Sequence, residues 1–333
     1  MLEITFRAMG CQMAALVDAD SPEASQALSQ VPAWFEGWEQ SLSRFRPDSE
    51  LNRLNRLSGA GGQAVPVSPV LWEVVDLAFK AACESGGLVS PTQLAALEAA
   101  GYDRSFDTLS KESPNAAEGR GVQSQRDASQ LNAPTAGPQR NGPAPDVFQS
   151  VTRNSPQRSL RLAEGVRLDL GGVAKGWAAD ETAARLSAFG PALMDAGGDI
   201  AVSGPRLGAT PWRIEVANPF FPDDALENLL LLGGRGVATS GRDYRRWQRN
   251  GRWYHHLLDP RTGRPAETDV LTATVVAPTA ARAEMAAKTA LILGSQAGLT
   301  WLEARPELAG CLVLDDGRQV RTKNLSAYIP VPD

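Results

Sequence analysis

Strand patterns joined by glycine-marked turns recur through the second half of this chain, with helical patterns between them. Residues 159–172, SLRLAEGVRLDLGG, predict a hairpin. Residues 191–204, PALMDAGGDIAVSG, predict a strand, a turn and a second strand, and residues 310–322 predict a closing hairpin. Helices are predicted over residues 174–189 and 279–293. Because the helices separate antiparallel hairpins, the pattern favours an α+β fold with mixed or antiparallel sheets over a doubly wound parallel sheet.

The first half of the chain predicts the same mixture of elements. They are strands at about residues 2–8 and 11–18, joined near Met9-Gly10, and helices at about 23–38 and 69–84. Between these two helices, PDSELNRL opens a shorter helix, for which Asp48 or Ser49 is the expected N-cap.

From about residue 110 to residue 158 the composition changes to Ser, Gln, Asn, Pro and Gly, with almost no large apolar side chains. Such a segment cannot bury enough apolar surface to offset the entropy lost on ordering, so it is predicted to be a disordered, low-complexity insertion or a long surface loop. Strands and helices of similar style resume on both sides of it. We therefore expect one domain over residues 1–333 that carries this insertion.

Composition narrows the class of protein. The chain has 333 residues, 43% of them hydrophobic and 21% charged, which is typical of a globular protein. The formal net charge of −5 gives no reason to expect nucleic acid or an anionic membrane surface as a partner. Cys11, Cys83 and Cys311 form no CxxC pair and are predicted to be reduced thiols of a cytoplasmic protein. No signal peptide and no transmembrane segment are expected, since the first residues alternate like a strand and no window holds about 18 apolar residues.

Three glycine turns are candidates for binding an anion. LDLGGVAKGWAAD, residues 168–180, leads from two glycines into a helix whose first turn carries Lys175. MDAGGDIAVSG, residues 194–204, brings backbone close to any ligand beside it, and VATSGRDYRRW, residues 237–247, offers hydroxyl and amide donors followed by arginines. The first of them matches neither a P-loop nor GxGxxG spacing, and taken singly each of the three is also explained as an ordinary turn or loop.

The segment YHHLLDPRTGRP, residues 254–265, contains both histidines of the chain. If residues 252–258 form a strand, His256 and His255 point to opposite faces. Two histidines are too few for a His-only zinc site, which leaves a general base or a phosphate contact as possible roles. Asp259 before a proline is also ordinary turn chemistry. In ARAEMAAKTALILG, residues 281–294, Glu284 and Lys288 are spaced i and i+4, which by itself predicts only a surface ion pair.

In their order along the chain, the motifs resemble the ApbE family of FAD:protein FMN transferases. They are MGCQ, LSRFRPDSELNRLN, VSPT, LDLGGVAKGWAAD, MDAGGDIAVSG, VATSGRDYRRW, HLLDPRTGRP and ARAEMAAKTALILG. The resemblance implies a fold related to tandem T-fold units, FAD in a cleft between sub-domains and Mg²⁺ at its pyrophosphate. It also implies transfer of FMN to a threonine or serine hydroxyl of a target flavoprotein, with release of AMP.

Matching the family motifs residue by residue assigns roles to positions of this chain. The residues implied to hold FAD are Met9, Ser43, Ser49, Lys175, Asp180, Gly197, Gly198, Asp199, Thr239, Ser240 and Gly241. The implied catalytic pair is His256 and Asp259, either of which is a candidate to take the proton of the acceptor hydroxyl. His255 is then a bystander.

The late helix departs from the family pattern. Where the family has Asp-x-x-x-Thr as magnesium ligands, this chain has Glu284 and Lys288. Three hypotheses follow: Mg²⁺ binds through Glu284 and backbone carbonyls near Ala174, Lys288 supplies a fixed positive charge in its place, or the transfer activity is lost. The function predicted first is FMN transfer. The alternatives are a non-catalytic FAD-binding protein and an FAD pyrophosphatase that releases FMN and AMP.

Overall fold

The computed structural model describes residues 1–59, 62–112, 146–221, 223–249 and 251–330. Its central element is an eight-stranded sheet in which every neighbouring pair is antiparallel. In spatial order the strands are β1 (Leu2–Ala8), β2 (Cys11–Val17), β6 (Ala192–Ala196), β7 (Asp199–Val202), β10 (Arg235–Gly241), β15 (Val270–Ala277), β16 (Ala309–Leu314) and β17 (Gln319–Arg321). The α+β prediction is confirmed.

Smaller antiparallel units surround the sheet. They are β3 (Val65–Pro66), β5 (Ser159–Leu162) and β4 (Val151–Asn154) in one three-stranded sheet, and the pairs β8 (Trp212–Ala217) with β9 (Ala225–Leu231), β11 (Arg246–Arg249) with β12 (Arg252–His255), and β13 (Leu258–Asp259) with β14 (Arg264–Pro265). The predicted hairpins at β1–β2, β6–β7 and β16–β17 are all present. Each turn contains a glycine at positive φ, namely Gly10, Gly197 and Gly317, as a tight turn requires.

The described residues form nine helices, five of which were predicted from the sequence. They are α1 (Pro22–Leu42), α2 (Glu50–Gly59), α3 (Pro69–Glu84), α4 (Leu94–Ala99), α5 (Phe106–Glu112), α6 (Val147–Ser150), α7 (Ala174–Leu186), α8 (Ala280–Leu293) and α9 (Ser295–Glu303). Ser21, Ser68 and Thr279 cap α1, α3 and α8 through their side chains. Three 3₁₀ segments, Pro91–Gln93, Leu207–Ala209 and Lys323–Tyr328, complete the described elements.

The core lies on both faces of the large sheet. On one face α1, α7 and α8 bury their apolar residues against it, and all residues of β15 are buried. On the other face the β8–β9 hairpin packs through Trp212, Ile214 and Leu229. A third, smaller cluster surrounds Trp247 and Tyr102. These layers hold α7 and α8 side by side, which positions the charged residues described below.

Three predictions of local structure were wrong. Helix α7 ends at Leu186 rather than near residue 189. The stretch 159–172 does not form a hairpin, because β5 pairs with β3 and β4 while the Asn55 side chain holds the backbone of Leu168 at 2.8 and 2.9 Å. The unstructured stretch was predicted to run to about residue 158, yet α6 and β4 lie within that range. Its residues 113–145 lie outside the described part of the chain.

In the described ranges no helix is both long enough and apolar enough to cross a membrane. Cys11, Cys83 and Cys311 are free thiols, in agreement with the prediction from their spacing.

Candidate functional site

A cleft of ≈ 440 Å³ is lined by residues from both halves of the chain. The β1–β2 turn, the segment after α1, residues 88–93 and the glycines before α7 contribute one part of its wall. Arg245, the segment 256–258 and Lys288 of α8 contribute another. The predicted site residues that line it are Met9, Ser43, Ala174, Lys175 and His256.

One part of the wall carries positive charge, and we call it the cationic wall: Lys175, Arg245 and Lys288, with the imidazole of His256. It includes the start of α7, where the helix dipole favours an anion, although the N–H groups of Ala174 and Gly176 already donate to Leu170 and Glu284. The Val173 N-cap of α7 makes no side-chain hydrogen bond. An anionic ligand group in the cleft is therefore favoured at this wall.

Two carboxylates lie behind the cationic wall. Asp199 is 2% exposed and Glu284 is 0% exposed. Lys175 pairs with Asp199 and its ammonium lies 3.7 Å from Glu284. Burial disfavours the charged form of Lys175, but the two carboxylates outweigh burial and raise its pKa. Lys175 thus stays charged, while the carboxylates that hold it are buried away from the cleft.

Glu284 accepts hydrogen bonds from two elements. Its Oε1 accepts from Lys288 at 2.6 Å, and its Oε2 accepts from the backbone N–H of Gly176 at 3.0 Å. Burial raises the pKa of Glu284, yet Lys288 and Lys175 overcome that effect and lower it. Lys288 also donates to the carbonyl oxygen of Gly172 at 3.2 Å. The predicted pair is therefore a buried bridge between α7 and α8 rather than a surface ion pair.

The same contacts bear on the expected metal site. Among the described residues no group of three or more His, Cys, Asp or Glu side chains is arranged to hold a metal ion. Glu284 and the carbonyl of Gly172 offer oxygen atoms on this side of the cleft, and Lys288 donates to both. A divalent cation on these oxygens would lie beside an ammonium of like charge. The residues present therefore do not fit Mg²⁺ at Glu284.

His256 lines the cleft beside these cations. The predicted strand over residues 252–258 breaks at this position, since β12 ends at His255 and β13 starts at Leu258. The Nδ1 of His256 lies 3.4 Å from the carbonyl oxygen of Arg245, which can only accept, so the proton sits on Nδ1 and leaves the lone pair on Nε2. Burial, together with Arg245 and Lys288, lowers the pKa of His256 well below its usual value. The imidazole is neutral.

His255 and Asp259 make different contacts. His255 is 4% exposed, and burial together with Arg242 lowers its pKa to about 3. Asp259 is buried in the turn, where its carboxylate accepts from the backbone N–H of Arg261 at 2.9 Å and from the guanidinium of the same residue at 2.7 Å. Its carbonyl accepts from Thr262 and Gly263. The contacts of Asp259 are those of an organiser of the Asp-Pro turn.

Other residues assigned to FAD by the family motifs support the elements around the cleft. Asp180 accepts from the backbone N–H groups of Ala280 at 2.8 Å and Ala281 at 3.0 Å, and so caps α8. Ser49 caps α2 through the N–H of Asn52 at 3.1 Å. Gly197 and Gly198 form the predicted turn between β6 and β7. The turn predicted at Thr239, Ser240 and Gly241 was wrong, because these residues lie on β10 and pair with β15, where Thr239 hydrogen-bonds to Thr274 at 2.9 Å.

A second part of the wall was not predicted from the sequence. It consists of Phe45 and Tyr102 with Arg44 between them, and we call it the aromatic wall. The Arg44 guanidinium carbon lies 4.1 Å from the Phe45 ring centre and 4.6 Å from that of Tyr102. Its Nη2 is buried without a hydrogen-bond partner in the described part of the chain. In the sequence the stretch SRFRPD could have indicated this wall. Its partner Tyr102, however, lies 58 residues from Arg44 in the chain, so their contact is not visible in the sequence. This wall suits a flat, polar-edged ring.

The protein therefore has an α+β fold, and the two walls form a cleft that suits a ligand with an anionic group and a planar ring. The sequence profile of the ApbE family matches residues 9–312, and the chain belongs to that family. The FAD:protein FMN transferase of Treponema pallidum is 28% identical over 318 residues, covering 92% of this chain and 82% of that protein.

Two solved structures share the fold. The ApbE protein from Thermotoga maritima superimposes with a TM-score of 0.80 at 22% identity, covering 99% of each chain. The flavinyl transferase ApbE of Pseudomonas stutzeri, in its apo form, gives a TM-score of 0.72 at 24% identity, covering 100% of this chain and 98% of that one. At these identities the likeness shows the fold.

Proposed function

We propose that this protein is an FAD:protein FMN transferase that moves FMN from FAD to a threonine or serine hydroxyl of a target flavoprotein and releases AMP. Family membership and the name of the Treponema pallidum relative support the proposal. The observation that carries it is the cationic wall, where Lys175, Arg245 and Lys288 face the cleft and the two carboxylates that pair with the lysines lie behind them. Such a wall suits the diphosphate of FAD, and the aromatic wall suits a flavin or adenine ring.

The reaction exchanges a phosphoanhydride bond for a phosphoester bond at phosphorus. The acceptor oxygen bonds to the phosphorus of the FMN half, the bond from that phosphorus to the bridging oxygen breaks, and AMP leaves with the electron pair. Little covalent chemistry falls to the protein, so its contribution is to position the diphosphate and to neutralise the charge that grows on the leaving oxygen. The cationic wall is the candidate for both tasks.

Within this proposal His256 takes the proton of the acceptor hydroxyl. Its Nε2 lone pair is free for that purpose, whereas the Asp259 carboxylate is engaged by Arg261. The nearby cations lower the pKa of His256, and the negative charge of a bound diphosphate raises it again, which improves the base when FAD is present. Asp259 then holds the turn that presents His256. A cytoplasmic location, which the three free thiols favour, stays a prediction.

The test is to incubate the flavin-stripped protein with FAD and a threonine-containing acceptor flavoprotein, scoring AMP and covalent flavin on the acceptor. We expect His256→Ala to slow labelling about 10²- to 10⁴-fold while FAD still binds. His255→Gln is the matched control and should keep the rate, because its ring lies away from the cleft. AMP release without an acceptor would indicate a pyrophosphatase, and FAD binding with no AMP at all would reject catalysis.

A further inference from the structure

The ammonium of Lys288 lies at the edge of the cleft, where it meets oxygen atoms from two separate elements. It is 2.6 Å from Oε1 of Glu284 on α8 and 3.2 Å from the carbonyl oxygen of Gly172, which precedes α7. A carboxylate and a backbone carbonyl are the ligands that a hard cation takes in proteins. The Lys288 side chain is 12% exposed and lines the cleft, so its charge is accessible to a ligand and partly shielded from water.

Several contacts of neighbouring residues fix the ammonium of Lys288 beside Glu284. Glu284 is held on its other oxygen by the N–H of Gly176, so the carboxylate cannot turn away from the ammonium without losing that bond. The Lys175 ammonium lies 3.7 Å from the same Oε1. A divalent cation bound there would meet two ammonium groups, and its repulsion from both would oppose binding.

We propose that Lys288 takes the place of a divalent cation at the diphosphate of FAD, so that FAD binds and FMN is transferred without Mg²⁺. The inference rests on the proposed function for its ligand. In the transfer step the leaving bridging oxygen of AMP gains negative charge as its bond to the FMN phosphorus breaks, and the Lys288 ammonium offsets that charge beside Lys175. The proton of the acceptor hydroxyl still goes to His256, and no metal enters the step.

The experiment compares the full-length protein in EDTA with the same protein in Mg²⁺, using FAD as the probe. The two readouts are the dissociation constant of FAD and the rate at which the acceptor flavoprotein becomes labelled. We expect both to agree within about twofold in the two buffers. Wild-type binding or labelling that requires Mg²⁺ would overturn the inference while leaving the proposed function in place.

Variants of Lys288 separate its charge from its packing. In EDTA, Lys288→Ala should weaken FAD binding about 10- to 100-fold, the worth of a charged hydrogen bond, and slow labelling at least as much. Mg²⁺ should restore part of the loss, because Glu284 and the Gly172 carbonyl are then free to bind it. Lys288→Thr adds a hydroxyl oxygen and fills more of the space than alanine. Its FAD binding should depend on Mg²⁺ more strongly than that of Lys288→Ala. Lys80→Ala is the control, since that lysine is 75% exposed on α3.

The outcomes distinguish the two proposals. FAD binding that is indifferent to EDTA and weakened in both Lys288 variants supports the inference even if the acceptor is never labelled, in which case the proposed transfer alone fails. A Lys288→Ala protein that remains folded by circular dichroism and binds FAD like the wild type in EDTA would overturn the inference. Failure of the wild type to bind FAD in either buffer would overturn both.

Discussion

At the residue scale, His255 and His256 are consecutive but their rings lie in different surroundings. His256 lines the cleft beside Arg245 and Lys288. His255 is buried behind it, with Nδ1 left without a hydrogen-bond partner among the described residues. An imidazole in that position is held neutral because burial disfavours its charged form and the charge of Arg242 adds to that effect, which together outweigh a backbone hydrogen bond with Ala266. His256 is therefore the candidate base, and His255 has a structural position.

The neutral state of His255 predicts how stability depends on pH. Its pKa is about 3 in the folded protein and about 6.5 when unfolded, so below pH 6.5 the unfolded chain binds a proton that the folded protein does not. Stability is present in full above about pH 6.5 and is lost as the pH falls toward 3. Between about pH 7 and pH 5 the titration of His255 should lower the free energy of unfolding by about 2 kcal/mol.

Urea unfolding of the wild type and His255→Gln at about pH 7 and pH 5 measures that contribution. The variant should lose less free energy of unfolding over this interval than the wild type. The comparison cancels other groups, such as Asp180, whose pKa is raised to about 6 by burial and which acts in the opposite direction. Equal pH dependence in both proteins would contradict the assignment.

At the scale of elements, the crossing of α7 and α8 assembles the charged cluster. A Cβ at Gly176 would lie 2.5 Å from Cα and 2.7 Å from N of Ala281, so the helices approach with no side chain between them at this point. The same approach lets the N–H of Gly176 reach Glu284 and lets Asp180 cap the start of α8. Close packing thus sets the separation of Lys175 and Lys288.

Gly176→Ala should therefore affect both stability and binding. Overpacking at a backbone contact is expected to cost about 1–3 kcal/mol, and forcing the helices apart should also weaken FAD binding. Gly37→Ala is the matched control: this glycine is exposed within α1, a Cβ there meets nothing within 4 Å, and alanine should be neutral or stabilising by up to about 1 kcal/mol. Thermal unfolding and FAD titration test the pair. A Gly176→Ala protein that matches Gly37→Ala in both would disprove the role of the crossing.

At the scale of the whole molecule, the net charge of the chain is opposite in sign to the charge of the cationic wall. The chain has a formal net charge of −5, yet the cleft presents Lys175, Arg245 and Lys288. Over distances longer than the Debye length, about 8 Å at physiological salt, the net charge is screened. Contacts inside the cleft are shorter than that, so the cationic wall should govern the affinity for an anionic ligand.

Salt should therefore weaken FAD binding even though the protein and the ligand both carry net negative charge. Between about 0.05 M and 0.5 M NaCl we expect the dissociation constant to rise about three- to tenfold. Calorimetric titration at the two salt concentrations measures the change. An affinity that increases with salt would mean that repulsion by the net charge outweighs the local attraction.

The sequence alone determined the features that depend on neighbouring residues. Turn glycines and alternating patterns located β1–β2, β6–β7 and β16–β17, and the predicted N-cap before α2 is Ser49. The order of the motifs identified the family, which the profile match confirms. These features are local because a turn or a cap needs only the few residues that form it.

The tertiary structure alone decided which charges face the cleft. From spacing, Glu284 and Lys288 were an ordinary i, i+4 pair, but α7 packs over them and adds Gly172 and Gly176, more than a hundred residues away in the chain. The Arg44–Tyr102 contact and the burial of Asp199 arise in the same way. Burial and charge pairing depend on elements distant in sequence, and the free energy of a charge is set by what surrounds it rather than by its chain neighbours.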